Sequence, residues 1–247
     1  MFRKTIEFST QKDYYYLKED FPVPSIVNIP EWFKKLNHSM ETKTVKGCMP
    51  FLDAISAGYI LKMPQDFAIK HNVENDSKEK GYGQYASLKS CPHLDTIGLN
   101  VNYHNLEVHN TEQLKDSPLV EKNKNLAFHK ILNPWIIKTP PGYSCLFTPI
   151  FNNQDDRFSP IVGIVDTDSF NTEINFPIVI NGDKYPVLDT VIKKGTPYVQ
   201  VIPFKRENWE MITKPISTEK IFSNKIKSHL KLLHNYKNIF WKKKKWK

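Results

Sequence analysis

NPWIIKTPPGYSCLFTPIFNNQDDRFSPIVGIVDTDSFNTEINFPIVI, residues 133–180, and VIKKGTPYVQVIPFKR, residues 191–206, decide the fold class. Both are short apolar runs broken by turn residues. Trp135–Lys138 meets a Thr-Pro-Pro-Gly turn, and Tyr143–Thr148 follows it. After a polar loop come Ile161–Val165, Ile174–Ile180 and Tyr198–Phe204. Runs of this length, rich in Val, Ile and aromatics and bounded by Pro, Gly, Asn and Asp, read as β-strands. Their spacing suits a sandwich or barrel. The expectation is a mainly β chain with minor α content.

Three groups of residues in this region fall in a definite order. They are Pro141-Gly142-Tyr143 through Pro149, Gly163-Ile164-Val165-Asp166-Thr167-Asp168, and Lys194-Gly195-Thr196-Pro197-Tyr198-Val199-Gln200-Val201. Upstream stands Ala57-Gly58-Tyr59-Ile60-Leu61. In this order they resemble the motifs of the dUTPase and dCTP-deaminase superfamily, whose shared fold is called the β-clip. The resemblance covers about half of the chain. It implies a β-clip core, a homo-oligomer (a trimer in dUTPases), and a site drawn from Tyr59, Asp166, Asp168, Phe170 and Gln200. Asp166 stands at the position of the water-activating base. Phe170 stands near that of the aromatic that lies against deoxyribose, and Gln200 near a base or phosphate contact. Magnesium is the cofactor this resemblance would bring if the chain is an enzyme; otherwise none is expected, and no metal site.

The chain also departs from that pattern. Ser169 intervenes before Phe170, and Phe170 lacks a hydroxyl. Ile150-Phe151 stands where the resemblance places Arg-Ser, and an Ile-Phe pair supplies no side-chain donor for phosphate. Thr196-Pro197 replaces Asp-Arg, and proline removes a backbone donor. Ile60 replaces the Asp of the first motif, and the glycine-rich fifth motif has no counterpart. Asp166 and Asp168 fit a water-activating or metal pair, but Asp-Thr-Asp-Ser is also ordinary turn chemistry, which is the favoured reading.

The net charge of +9 is concentrated at one end. Residues 220–247 hold ten lysines and no acidic residue, which leaves about −1 for residues 1–219. The body is not a basic nucleic-acid binder. Phe222, Ile226, Leu230, Leu233, Tyr236 and Phe240 recur at helical spacing, with Ser223 as a cap near the start. Lys225, Lys227, Lys231 and Lys237 are assigned to the opposite face. Trp241 and Trp246 bracket Lys242, Lys243, Lys244 and Lys245, a grouping suited to nucleic-acid phosphates, to another polyanion or to an anionic lipid surface. A docked helix with solvated lysines is the plain alternative.

Outward from the core, Thr5–Phe8 reads as a first strand, and Pro30 opens a short helix from Glu31 to Leu36. Trp32 and Phe33 read as anchors or as a peptide-binding surface. Cys48–Ser56 is a helix carrying Phe51, Leu52 and Ile55 on one face, with Asp53 exposed or reaching a pocket. It leads into a strand over Gly58–Met63. Residues 71–128 read as an irregular insertion with a weak strand near Ile97–Tyr103. Cys91, His93, His104 and His109 within it match no standard zinc spacing. His129 precedes the strand Lys130–Leu132, with structural and functional roles equally open. The division expected is an N-terminal arm (1–47), a β-core (48–210) and a basic helix and tail (211–247).

No apolar run is long enough to cross a membrane, and no apolar signal core follows Met1. Three widely spaced cysteines, Cys48, Cys91 and Cys145, fit a reducing compartment. A soluble cytoplasmic protein is expected. The Lys-, Asn- and Ile-rich composition also resembles phage proteins, for which the location would be the virion.

Three functions follow. The first is a non-catalytic binding or structural protein on a degenerate dUTPase-like scaffold, and it is favoured. The second is a deoxynucleotide pyrophosphatase or deaminase relative with a rearranged site. The third is nucleic-acid binding through the Lys/Trp tail.

Overall fold

The computed structural model describes residues 4–15, 18–39, 41–72, 85–88, 106–124, 128–153, 155–229 and 236–247. The fold is mainly β, with few helices. In chain order the strands are β1 (Glu7–Ser9), β2 (Val23–Pro24), β3 (Tyr59–Lys62), β4 (Phe67–Asn72), β5 (Tyr85–Leu88), β6 (Leu106–His109) and β7 (Phe128–Ile131). They continue with β8 (Ile136–Lys138), β9 (Tyr143–Thr148), β10 (Phe158–Pro160), β11 (Gly163–Val165), β12 (Phe176–Ile180), β13 (Val187–Ile192) and β14 (Pro197–Lys205). The helices are α1 (Lys12–Tyr15), α2 (Glu31–Lys35), α3 (Met49–Ser56), α4 (Pro118–Lys122) and α5 (Thr218–His229).

Two compact units result: Met1–Val23 with Tyr59–Lys205, and Pro24–Gly58 with Arg206–Lys247. Tyr14 and Phe21 pack edge-on against Trp135 at 5.8 and 5.5 Å. Residues 1–23 thus belong with the β unit.

In the β unit the main sheet runs β11-β9-β14-β3-β2, and a second runs β10-β12-β7-β6. Two smaller sheets are β13-β4-β5 and β1-β8. The registered pairs are antiparallel. Phe147 of β9, Phe176 of β12 and Tyr198 of β14 join the two larger sheets, with ring centroids 5.4 and 5.7 Å apart. Around them Ile69, Ile137, Ile178, Ile192, Val199 and Val201 are wholly buried. Burial of β-branched side chains on facing sheets is what stabilises such a sandwich.

β14 is buried from Tyr198 to Val201, between β3 and β9. From Ile202 onward only β9 pairs with it, and Pro203 falls on that one-sided stretch, where a missing N–H is tolerated. Gly142 (φ +81°) closes the turn before β9, with the Tyr143 N–H donating to the Pro140 carbonyl at 3.2 Å. A proline second and a positive-φ glycine third make a type II turn.

The stretch expected to be an irregular insertion carries the end of β4, then β5, β6 and α4. β4 pairs with β13 over six residues, from Phe67↔Ile192 to Asn72↔Val187. The strand expected near Ile97–Tyr103, and Cys91, His93 and His104, lie outside the described residues.

In the second unit, Phe33 of α2 stacks on Phe51 of α3 at 5.6 Å, and Trp32 meets the same ring edge-on at 6.0 Å. Lys46 Nζ donates to the carbonyls of Lys34 and Leu36 at 2.7 and 2.8 Å, satisfying the C-terminal end of α2. Pro50 sits in the first turn of α3, where its missing N–H costs no helical bond. α5 starts at Thr218 rather than near Ser223. Its entry is marked by Ser217, whose carbonyl accepts from the Ile221 N–H at 3.1 Å. Tyr236–Phe240 forms a π-helical turn, closed by the Trp241 N–H donating to the Tyr236 carbonyl at 2.8 Å. Among the described residues no helix is long and apolar enough to cross a membrane.

Candidate functional site

The residues that follow β11 meet the turn that precedes β9. The Asp166 carbonyl accepts the N–H groups of Ser169 and Phe170 at 3.1 and 3.0 Å, making a tight turn. Its carboxylate accepts from Ser144 Oγ at 2.6 Å. Asp168 Oδ2 accepts from the Gly142 N–H at 2.8 Å. Thr167, between the two, is wholly buried. Its hydroxyl lies 2.8 Å from that of Thr139 and donates to Cys145 Sγ at 3.3 Å. The Thr139 N–H donates to the Thr167 carbonyl at 3.2 Å. Burial pushes the Cys145 thiol up to about 11, so it stays protonated at neutral pH.

Asp166 is exposed and Asp168 half-buried. Asp168 stitches this turn to the turn before β9, Asp166 stitches it to the first residues of β9, and the arrangement is a latch. Phe170 leaves it 42% exposed.

Gln200 is elsewhere. It is wholly buried in β14, and its Oε1 accepts from the Phe151 N–H at 3.1 Å. It lies opposite Thr148 and Ile60, whereas Val165, next to Asp166, lies opposite Cys145. Strand rise and strand spacing then separate Asp166 from Gln200 by on the order of 15 Å. Tyr59 stands opposite Val201, one strand further from Asp166, with its ring edge-on to Phe8 at 5.4 Å. Within this chain the five residues drawn from the resemblance therefore form no single pocket.

The space beside Ile150 is a cleft of about 220 Å³. Ile150, Asn152, Asp155, Phe158, Tyr198 and Lys122 are among its lining residues. Ile150 and Phe151 are half-buried. Asp155 is held by Arg157 through bonds of 2.9 and 2.8 Å, and the guanidinium keeps its carboxyl below the usual range. The Tyr198 hydroxyl is buried without a hydrogen-bond partner, and burial raises its pKa. Lys138, a cation that could stand in for the absent arginine, is exposed in β8 opposite Glu7. It precedes the Tyr143 end of β9, while Ile150 follows the Thr148 end, a strand's length away of about 17 Å. Among the described residues no group of three or more His, Cys, Asp or Glu side chains is placed to hold a metal ion.

The tail residues sit in the other unit. Trp241 Nε1 and Lys244 Nζ both donate to Asp53 Oδ2 of α3, at 2.9 and 2.6 Å. Lys242, Lys243 and Lys245 are exposed, and Trp246 is half-buried. Asp53 is thus the tail's anchor, a role for which the sequence carries no local signal. A scan against protein-family models finds no match, and a search of curated proteins finds no relative.

Proposed function

We propose that this chain is a non-catalytic binding or structural protein on a degenerate dUTPase-like β-clip scaffold. It acts in a homo-oligomer, a trimer by the resemblance, or with other assembly proteins, as a virion component if phage-encoded. The observation that supports this reading most is the engagement of its acidic pair. Asp166 and Asp168 tie their turn to the start of β9 and to the turn before it, through Ser144 and the Gly142 N–H. Gln200, on the order of 15 Å from Asp166, is committed to the Phe151 N–H in the interior and cannot join it in one site.

The experiment is a thermal titration of the purified protein with dUTP, dCTP and their monophosphates, each with magnesium. A ligand well above its Kd raises the melting temperature by mass action. No shift is expected. A shift with one nucleotide, lost in Asp166→Asn, would instead support a pyrophosphatase or deaminase relative with Asp166 as the base. Asparagine keeps an oxygen for Ser144, so that variant separates binding from folding.

A further inference from the structure

From Arg206 to Ile226 every residue is exposed, yet this is not a polar linker. Trp209, Met211 and Ile212 are 87, 91 and 65% exposed. α5 adds Phe222 and Ile226 at 65 and 42%, and the π turn adds Phe240 at 54%. With the neighbouring Ile216, Ile221, Tyr236 and Ile239, side chains of this size present on the order of 1,000 Å² of apolar surface. Soluble proteins expose apolar side chains singly as a rule, and so many within one segment mark an interaction surface.

The same segment is cationic from Lys220 onward, whereas upstream the exposed Glu207, Glu210 and Glu219 offset Arg206 and Lys214. Lys214, Lys220, Lys225 and Lys237 are exposed among these apolar side chains, followed by Lys242, Lys243 and Lys245. No acidic residue occurs from 220 to 247. The far end of the segment is fastened, because Trp241 and Lys244 share Asp53.

The geometry points to a peripheral docking surface for an anionic lipid bilayer. Trp209, Met211, Ile212, Phe222 and Ile226 enter the boundary between headgroups and acyl chains, and the lysines meet lipid phosphates and carboxylates. Apolar and lysine side chains on one segment are what that boundary accepts. A nucleic acid would take the lysines and stack on Trp209, but offers no apolar medium to Met211, Ile212 or Ile226. A protein groove demands complementarity to one shape. Here the apolar side chains come from irregular backbone, an α-helix and a π turn, and a bilayer demands no such match. The inference is independent of whether the β unit binds nucleotides.

The test is co-sedimentation of the full chain with phosphatidylcholine vesicles, with and without phosphatidylserine. The intact protein is expected to bind the phosphatidylserine vesicles, weakly or not at all the neutral ones, and less as salt rises. Phe222→Ser with Ile226→Ser, and separately Met211→Ser with Ile212→Ser, should each weaken binding at least ten-fold. Replacing Lys242, Lys243 and Lys245 by serine should cost about five-fold per lysine. These side chains are exposed, so circular dichroism and melting temperature are expected to stay unchanged, and the lysine variant tests the surface without touching the apolar residues. Absence of binding to either vesicle would overturn the inference. So would undiminished vesicle binding by both apolar variants, or apolar variants that change the sedimenting mass of a protein that ignores vesicles.

Discussion

Asp168 Oδ2 accepts the Gly142 N–H at 2.8 Å, tying the turn after β11 to the type II turn before β9. Gly142 has φ +81°, so its N–H direction is fixed by a conformation that other residues resist. Asp168→Ala leaves that N–H without its carboxylate and should destabilise the fold by about 1–2 kcal/mol in urea unfolding. Asp168→Asn keeps an acceptor oxygen and should lose less than half as much. Equal loss in both would assign the effect to charge rather than to this bond.

Gln200 lies near the centre of β14, wholly buried and bonded to the Phe151 N–H. Gln200→Leu keeps the volume roughly but orphans the Phe151 donor. The expected cost is about 2–3 kcal/mol, read as a lowered urea midpoint at unchanged slope. A neutral substitution would show that the amide bond has a substitute partner on refolding of the loop.

Much of this core is legible in the sequence, for local reasons. β9 has the bounds that Pro-Pro-Gly on one side and Pro149 on the other impose, and β14 announces itself by Tyr, Val, Val and Ile. β13 is not legible: Asp189 and Thr190 interrupt VLDTVI, and what makes it a strand is six residues of pairing with β4, more than a hundred positions earlier. β10 escapes notice because three residues ending in proline carry no pattern. The helical spacing from Phe222 to Phe240 finds α5, but it cannot show that Ser217 marks the entry or that Tyr236–Phe240 winds as a π turn. The acidic pair was visible as residues, and its partners Ser144 and Gly142 were not, because such a latch is set by tertiary approach.

His129 is 4% exposed in β7, and neither ring nitrogen has a hydrogen-bond partner. Its register neighbours are Val108 and Ile178, and its ring lies 6.0 Å from that of Phe67; none of the three carries a charge. Burial lowers its pKa from 6.5 to about 4. The unfolded chain therefore takes up the proton first on acidification. Its contribution to stability is complete above about pH 6.5 and is lost as pH falls towards 4. The whole loss is about 3 kcal/mol, of which about 2 should appear between pH 7 and 5. Urea unfolding at those two pH values measures it. His129→Phe should remove that part of the slope, and an unchanged slope would show that the imidazole is charged in the fold.

Asp53 and Trp241 are 188 positions apart, yet one carboxylate oxygen of Asp53 holds both the Trp241 indole N–H and the Lys244 ammonium. Asp53 is about three-quarters buried and Lys244 half-exposed, so the ion pair is partly screened and the indole bond supplies comparable stabilisation. Asp53→Ala should lower global stability only modestly, by about 1 kcal/mol. The local consequence should be larger, because the tail then opens without unfolding α3, and cleavage of an opened segment follows its open population. Limited trypsin digestion read by mass spectrometry should cut after Lys242–Lys245 on the order of five-fold faster in Asp53→Ala than in the intact chain. Asp53→Asn, which retains an oxygen for the indole but not the charge for Lys244, should fall between the two. If trypsin cuts all three proteins at one rate, Asp53 does not anchor the tail.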